Sequence, residues 1–227
     1  EAKAQQVATH GLSRAQWYLT RIPDWMPWLR YGAVAFRPFL RRAWFRWLVE
    51  RFTSITRHRR FPTWRTKPFL QTAPRAWRTV PTTLNSKVVV VFVDHVANWH
   101  EPEIAIAAGR ILEHLGFEVF VPTEQVRAGM DLVSCGDLER ARALAEKNIA
   151  VLGEFARAGC PIVCTEPSAA LCLKVEYPRL IDHPDAAHVA AATDDIGHFL
   201  QQLHKAKKLR TDFQPCPMRA AYHQPCH

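Results

Sequence analysis

Between Lys87 and Asp94 runs Val-Val-Val-Val-Phe-Val, with no polar position among its residues. A strand with one wet face alternates apolar and polar residues, so an unbroken run has to hide both faces. Branching at Cβ also restricts χ1 against a preceding helical turn, which makes consecutive valines poor helix formers. The run therefore predicts a strand inside a parallel sheet with helices stacked on each side, an α/β fold. It is strand-sized, far short of the ~18 apolar residues that cross a bilayer, and no other stretch approaches that length.

The rest of the chain after residue 86 fits the same architecture. Glu101–Leu115 has helical spacing, carries Pro102 in its first turn and stops at Gly116. Phe117–Val121 reads as a second strand, and Asp137 caps a helix running to about Ala158 before Gly159. Pro161–Thr165 is a third strand, Ser168–Glu176 and Ala186–Lys205 are helices, and Met218–Tyr222 reads as a fourth strand. Strands separated by helix-length stretches imply βαβ units, whose sites lie at the carboxyl ends of the strands. Those ends fall at Asp94, Pro122, Glu166 and His223. His95, Asp94, Glu101 and Glu166 converge by this topology on one crevice, as a metal site, an acid/base site or a hydrogen-bonded polar cluster.

Charge divides the chain in two. Residues 1–85 carry 16 Lys and Arg against 3 acids, a balance of +13, whereas residues 86–227 carry 14 against 18, a balance of −4. Seven of the eight Trp also precede residue 86. Residues 1–85 thus read as a basic, Trp-rich helical and extended arm joined through the Pro-led linker Pro81-TTLNS-Lys87. Ser13 caps a helix through Leu19, and Pro23 and Pro27 interrupt the stretch after it. Phe39–Phe52 places Leu40, Trp44, Trp47, Leu48 and Arg51 on one face of an amphipathic helix. Three uses fit such an arm: attachment to an anionic membrane surface, nucleic-acid binding, or wrapping around an acidic partner. Nucleic acid ranks last because no base-reading motif is present.

Six Cys are too sparse for a disulfide framework. The polar opening EAKAQQVATH is no signal peptide, so the thiols are expected reduced in a cytoplasmic protein, at most peripheral at the inner face of the cytoplasmic membrane. The absence of an initiator Met suits a piece of a longer chain. Cys160, Cys164 and Cys172 read as core residues, Cys216 as loop-exposed, and Cys135 as the better candidate ligand. His223, Cys226 and His227 form only a weak metal-type pattern. No P-loop, GxGxxG or Ser-His-Asp order points to an independent catalytic site.

Several stretches carry a resemblance: Asn98-WHEPE-Ile104, Leu112-EHLGFEVFV-Pro122, Gly129-MDLVSCGDLERA-Arg142, Thr165-EPSAALCLKVEY-Pro178 and Ala221-YHQPC-His227. In these the chain resembles the cysteine-rich CCG domains of iron–sulfur oxidoreductases. That family includes the B subunit of heterodisulfide reductase, the C subunit of anaerobic glycerol-3-phosphate dehydrogenase, and the C-terminal part of FAD-linked D-lactate-type dehydrogenases. The resemblance implies a CCG-like α/β domain over residues 86–217 and the start of a second repeat at 218–227. It implies a [4Fe–4S] cluster in the complete protein, FAD in a partner or upstream domain, and flavoprotein and ferredoxin-type partners. It also implies electron transfer from a 2-hydroxy acid or a glycerol-3-phosphate-like substrate.

The family places cluster cysteines after the first strand, in a Cys-Cys-Gly, and after the Glu-Pro-Ser of the third strand. Here those places hold His95, Arg127-Ala128-Gly129 and Ala169, and only Cys226 stands at a family cluster position. Neither Arg nor Ala ligates iron. The expected crevice residues are therefore His95, Asn98, Glu101, Arg127 and Glu166, with Arg127 suited to an anion or to Glu166, and Cys226 and Cys135 as candidate metal ligands. Two readings stay open: an electron-transfer part of the oxidoreductase, or a degenerate, cluster-less scaffold that docks partner subunits or a membrane.

Overall fold

The computed structural model describes residues 2–36, 38–39, 42–59 and 65–221. Four parallel strands form one sheet: β1 (Val88–Phe92), β2 (Glu118–Phe120), β3 (Ile162–Cys164) and β4 (Thr193–Asp195), in the order β2-β1-β3-β4. β1 is internal, with Val90 paired to Phe120 on one side and to Ile162 on the other. Every residue of β1 is buried, as the unbroken apolar run requires.

Alternation along β1 sends its side chains into two separate cores. Val88, Val90 and Phe92 meet Ile149 and Leu152 of α9 (Leu138–Arg157), together with Tyr177 and Val189. Val89, Val91 and Val93 meet Ala105 and Leu112 of α7 (Pro102–His114) and Phe199 of α13 (Ile196–Lys205). This second core also takes Phe69 from α4 (Phe69–Thr72) and Trp77 from α5 (Arg75–Arg78). Two short helices that precede the sheet in sequence therefore finish one of its faces.

Trp77 is fixed three ways: its indole Nε1 donates to Glu113 Oε1 at 2.6 Å, its carbonyl accepts from the Val121 amide at 2.7 Å, and its ring lies against Gly109 of α7.

Several elements differ from the sequence reading. α2 (Arg14–Phe36) continues through Pro23 and Pro27 instead of breaking there. Its start is as expected, with Ser13 and Gln16 side chains bonded at 2.8 Å in a capping pair. Burial of Thr20 and Met26, with the Thr20 carbonyl accepting from Arg127, offsets the backbone bonds that the prolines remove. An additional helix, α1 (Ala2–His10), precedes it, and α3 (Ala43–Thr53) covers the later part of the expected 39–52 helix.

The expected helix over 186–205 is split by β4 into α12 (Pro184–Ala192) and α13. Thr193 pairs with Ile162, its hydroxyl donates to Val189 O at 2.6 Å, and the Asp195 carboxylate caps α13 through the His198 amide. The fourth strand is thus Thr193–Asp195 rather than Met218–Tyr222; residues 206–221 contain no strand, and Tyr222 lies outside the described residues. The helix expected over 168–176 becomes α10 (Pro167–Leu171), a π-helical turn (Cys172–Glu176) and α11 (Tyr177–Leu180).

Gly109→Ala is expected to destabilise the protein by about 2 kcal/mol, because a Cβ there would fall inside the Trp77 ring. Denaturant unfolding followed by fluorescence measures this, and an unchanged midpoint would show that the Trp77 contact does not support the sheet.

Candidate functional site

The site is built where β1 and β3 end. Val93 donates its amide to Gln125 Oε1 at 2.8 Å, which ties the exit of β1 to the loop after β2. Asp94 comes next, just before the short helix α6 (His95–Trp99), and its Oδ1 accepts the Ala128 amide at 3.0 Å. The Ala128 carbonyl accepts from Tyr177 Oη at 2.9 Å and from Cys172 Sγ at 3.3 Å. Asn148 of α9 completes the clamp: its Nδ2 donates to Tyr177 Oη at 2.8 Å and its Oδ1 accepts the Val126 amide at 2.9 Å. Gly129, at φ +89°, then turns the chain into α8 (Met130–Cys135), a conformation that a side chain rarely adopts. The segment Val126–Gly129 is consequently clamped through its backbone.

A cavity of about 510 Å³ lies over this segment, lined by Asp94, His95, Glu101, Arg127 and Glu166. Asp94, His95, Glu101 and Glu166, placed on one crevice by the topology, line this cavity together with Arg127. Asn98 instead lines an adjoining cavity of about 520 Å³, which shares Asp94, His95 and Arg127, and its Oδ1 accepts the Leu70 amide at 3.0 Å. Leu19, Ile22 and Pro23 of α2, with Ile55, also wall the first cavity. The basic arm is therefore part of the site.

Burial controls the electrostatics. Glu166 Oε1 accepts the Ala97 amide at 3.0 Å, yet burial, and then the neighbouring Asp94 carboxylate, push its pKa up to about 7. Burial likewise raises Asp94 above the ordinary carboxylate range. His95 is held neutral, its pKa lowered to about 4 by burial and by His100, whose Nε2 lies 3.3 Å from its own. Of the two, the Glu166 carboxyl can give and take a proton near neutral pH, while the neutral His95 imidazole offers hydrogen bonds.

Arg127 does not face Glu166, contrary to the sequence expectation. Its Nε donates to Asp24 at 3.0 Å, its Nη1 to Asp131 at 2.5 Å and its Nη2 to the Thr20 carbonyl at 2.9 Å. Arg140 pairs with the same Asp24. The reason is reach: Asp131 stands four residues on, in the first turn of α8, and α2 delivers Asp24 onto a guanidinium that is only 9 % exposed.

Cys135 ends α8 half-buried and outside the cavity wall, where its neighbour Ser134 stands. Cys160, Cys164 and Cys172 are fully buried and Cys216 is exposed, as the sequence suggested. Cys226, with His223 and His227, lies outside the described residues. Among the described residues no group of three His, Cys, Asp or Glu is placed to hold a metal ion.

A [4Fe–4S] cluster does not fit this donor set. The cavity wall offers carboxyls, imidazoles and a guanidinium, while Cys172 is turned to the Ala128 carbonyl with its thiol raised by burial. Sequence reasoning missed Asp24, Asp131, Asn148 and Tyr177. Only Asp131 left a trace, in its four-residue spacing from Arg127.

No protein-family model matches the chain, and no solved structure is significantly similar to it. Three curated proteins are similar. The B subunit of fumarate reductase (CoM/CoB) from Methanothermobacter marburgensis is 29 % identical over 60 % of this chain and 25 % of its own length. The C subunit of anaerobic glycerol-3-phosphate dehydrogenase from Escherichia coli is 24 % identical over 61 % of this chain and 35 % of its own. Lactate utilization protein A of an Exiguobacterium species is 26 % identical over 61 % of this chain and 56 % of its own. The matched part of the chain thus spans from a quarter to just over half of these relatives.

Two measurements probe the site. Glu166 binds its proton more tightly folded, near pH 7, than at its ordinary 4.5, so its contribution to stability falls as pH rises between these values and is level above them. Glu166→Gln should match the parent below about pH 4.5 and exceed it by on the order of 2–3 kcal/mol above pH 7, read as thermal midpoints across that range. Arg127→Met should cost on the order of 1–2 kcal/mol, by removing the cation that Asp24 and Asp131 share while Asp24 keeps Arg140, and should speed tryptic cleavage after Arg21. Unaltered cleavage would mean that the pair does not fasten the arm.

Proposed function

We propose that this chain serves an electron-transferring oxidoreductase as a CCG-type module whose own crevice carries no cluster. The observation that carries the reading is the donor set at the strand ends, where Asp94, His95, Arg127 and Glu166 stand in place of thiolates beside a tightly clamped loop. Similarity to proteins named for glycerol-3-phosphate dehydrogenase, fumarate reductase and lactate utilization supports the oxidoreductase assignment. A 2-hydroxy acid or a glycerol-3-phosphate-like molecule is the substrate of the whole assembly. Flavin and iron–sulfur chemistry belongs to flavoprotein and ferredoxin-type parts beyond these residues.

In this role the crevice residues hold structure and protons. Asp94 fixes the Ala128 peptide, Arg127 fastens the arm, and Glu166 supplies a carboxyl able to exchange a proton near neutral pH beside the neutral His95 imidazole. Residues 86–217 form the module in this reading, 1–85 the arm that closes it, and 218–227, with Cys226, the opening of a further repeat.

The test is anaerobic reconstitution with iron and sulfide, followed by iron analysis and electron paramagnetic resonance. Iron is expected to stay below the roughly four atoms per chain of a cubane cluster, and any iron bound should depend on Cys226. About four irons per chain, lost on Cys135→Ser, would overturn the reading and return a redox centre to this crevice.

A further inference from the structure

The arm has two sides of opposite character. Its inner side is anchored: Met26 is fully buried, Thr20 and Ile55 are nearly so, and Leu19, Ile22 and Pro23 wall the crevice. Its outer side exposes large aromatic residues that have no place in either core. On α2, Trp28 is 78 % and Tyr31 73 % exposed, and on α3 Trp44, Trp47 and Phe52 are all more than half exposed. Trp44, Trp47 and Arg51 recur at intervals of three and four and share one face of that helix, with Phe52 at its border. A folded monomer does not ordinarily leave so many aromatic rings in water on neighbouring elements.

The charge on this side is one-signed. Among the described residues of 28–60, Arg30, Arg42, Arg46, Arg51, Arg57 and Arg59 stand with a single acid, Glu50. Glu50 lies 3.6 Å from Arg57, so it neutralises at most a small part of that charge. Arg30 is folded over the Tyr31 ring at 4.7 Å. Guanidinium groups interleaved with Trp, Tyr and Phe on an exposed helix face suit the boundary of a bilayer. There the rings enter the headgroup layer while the cations meet lipid phosphates. No described helix is long and apolar enough to cross the bilayer, so the contact is one of lying on it.

We infer that the outer face of α2 and α3 binds the surface of an anionic phospholipid bilayer, through Trp28, Tyr31, Trp44, Trp47 and Phe52 with the intervening arginines. The complementary charge favours anionic lipid, and the rings account for what electrostatic attraction to an acidic protein would leave unexplained. Because α2 also walls the crevice and is fastened at Arg127 through Asp24, a bound bilayer holds the crevice close to the membrane surface.

Co-sedimentation of the full chain with vesicles tests this, using phosphatidylcholine alone and phosphatidylcholine mixed with phosphatidylglycerol, each at low and high salt. Binding is expected to the mixed vesicles, weakening with salt, and to be slight on phosphatidylcholine. Arg42→Gln with Arg51→Gln should weaken binding about 25-fold, at roughly fivefold per charge near the surface. The triple variant Trp44→Ala, Trp47→Ala, Phe52→Ala should weaken it at least tenfold while leaving circular dichroism and thermal midpoint unchanged, since these side chains are exposed. No binding to the mixed vesicles, equal binding to both kinds, or a triple variant that binds like the parent would each overturn the inference. None of these outcomes touches the iron content on which the redox reading stands.

Discussion

Burial of β1 on both faces is the constraint from which the remaining structure follows. A parallel sheet has no wet side, so each of the six apolar residues after Lys87 needs a covering helix. α9 and the helices between β3 and β4 cover one face. The other is covered only when α4 and α5, from the basic side of the charge boundary, add Phe69 and Trp77 to α7 and α13. The division seen in charge is therefore not a division in packing. Residues 69–78 have the composition of the arm and the position of a core element, and the linker after them is a short connection into β1.

Once the sheet is sealed, its carboxyl edge becomes the place where polar groups must be reconciled with burial. Asp94 enters the interior because β1 delivers it there, and the Ala128 amide is what it receives in exchange for water. Tyr177 and Cys172 take the carbonyl of that same residue, and Asn148 steadies Tyr177 from behind. Burial makes ionising Glu166 costly and the nearby Asp94 carboxylate adds to that cost, which is why Glu166 retains its proton toward neutrality. Arg127 eases the charge of Asp94 only in part, because its hydrogen bonds go to Asp24, Asp131 and the Thr20 carbonyl.

Much of this was legible in the sequence, for identifiable reasons. The strands β1, β2 and β3 announce themselves by apolar runs, and a parallel sheet then dictates that Asp94, His95, Glu101 and Glu166 meet. What was not legible depends on distant partners. Thr193–Asp195 looks like helix by its alanine-rich context and becomes a strand only because β3 offers an open edge. Pro23 and Pro27 look like breaks and are overruled by the burial of Met26. Asp24 lies 103 positions before Arg127, and no spacing rule reaches that far.

The π-helical turn at Cys172–Glu176 has its own implication for how such a chain changes over generations. A turn of this kind holds one residue more than the α-helix around it, the usual trace of a single-residue insertion absorbed without breaking the helix. Deleting one residue there would restore regular winding, but it would turn everything beyond it by about 100° relative to the helix before it. Cys172 and Tyr177, which stand on either side of the extra residue and both donate to the Ala128 carbonyl, could then no longer do so together. The helical register across this turn is thus locked to the loop it supports, and lineages that keep the one are bound to keep the other.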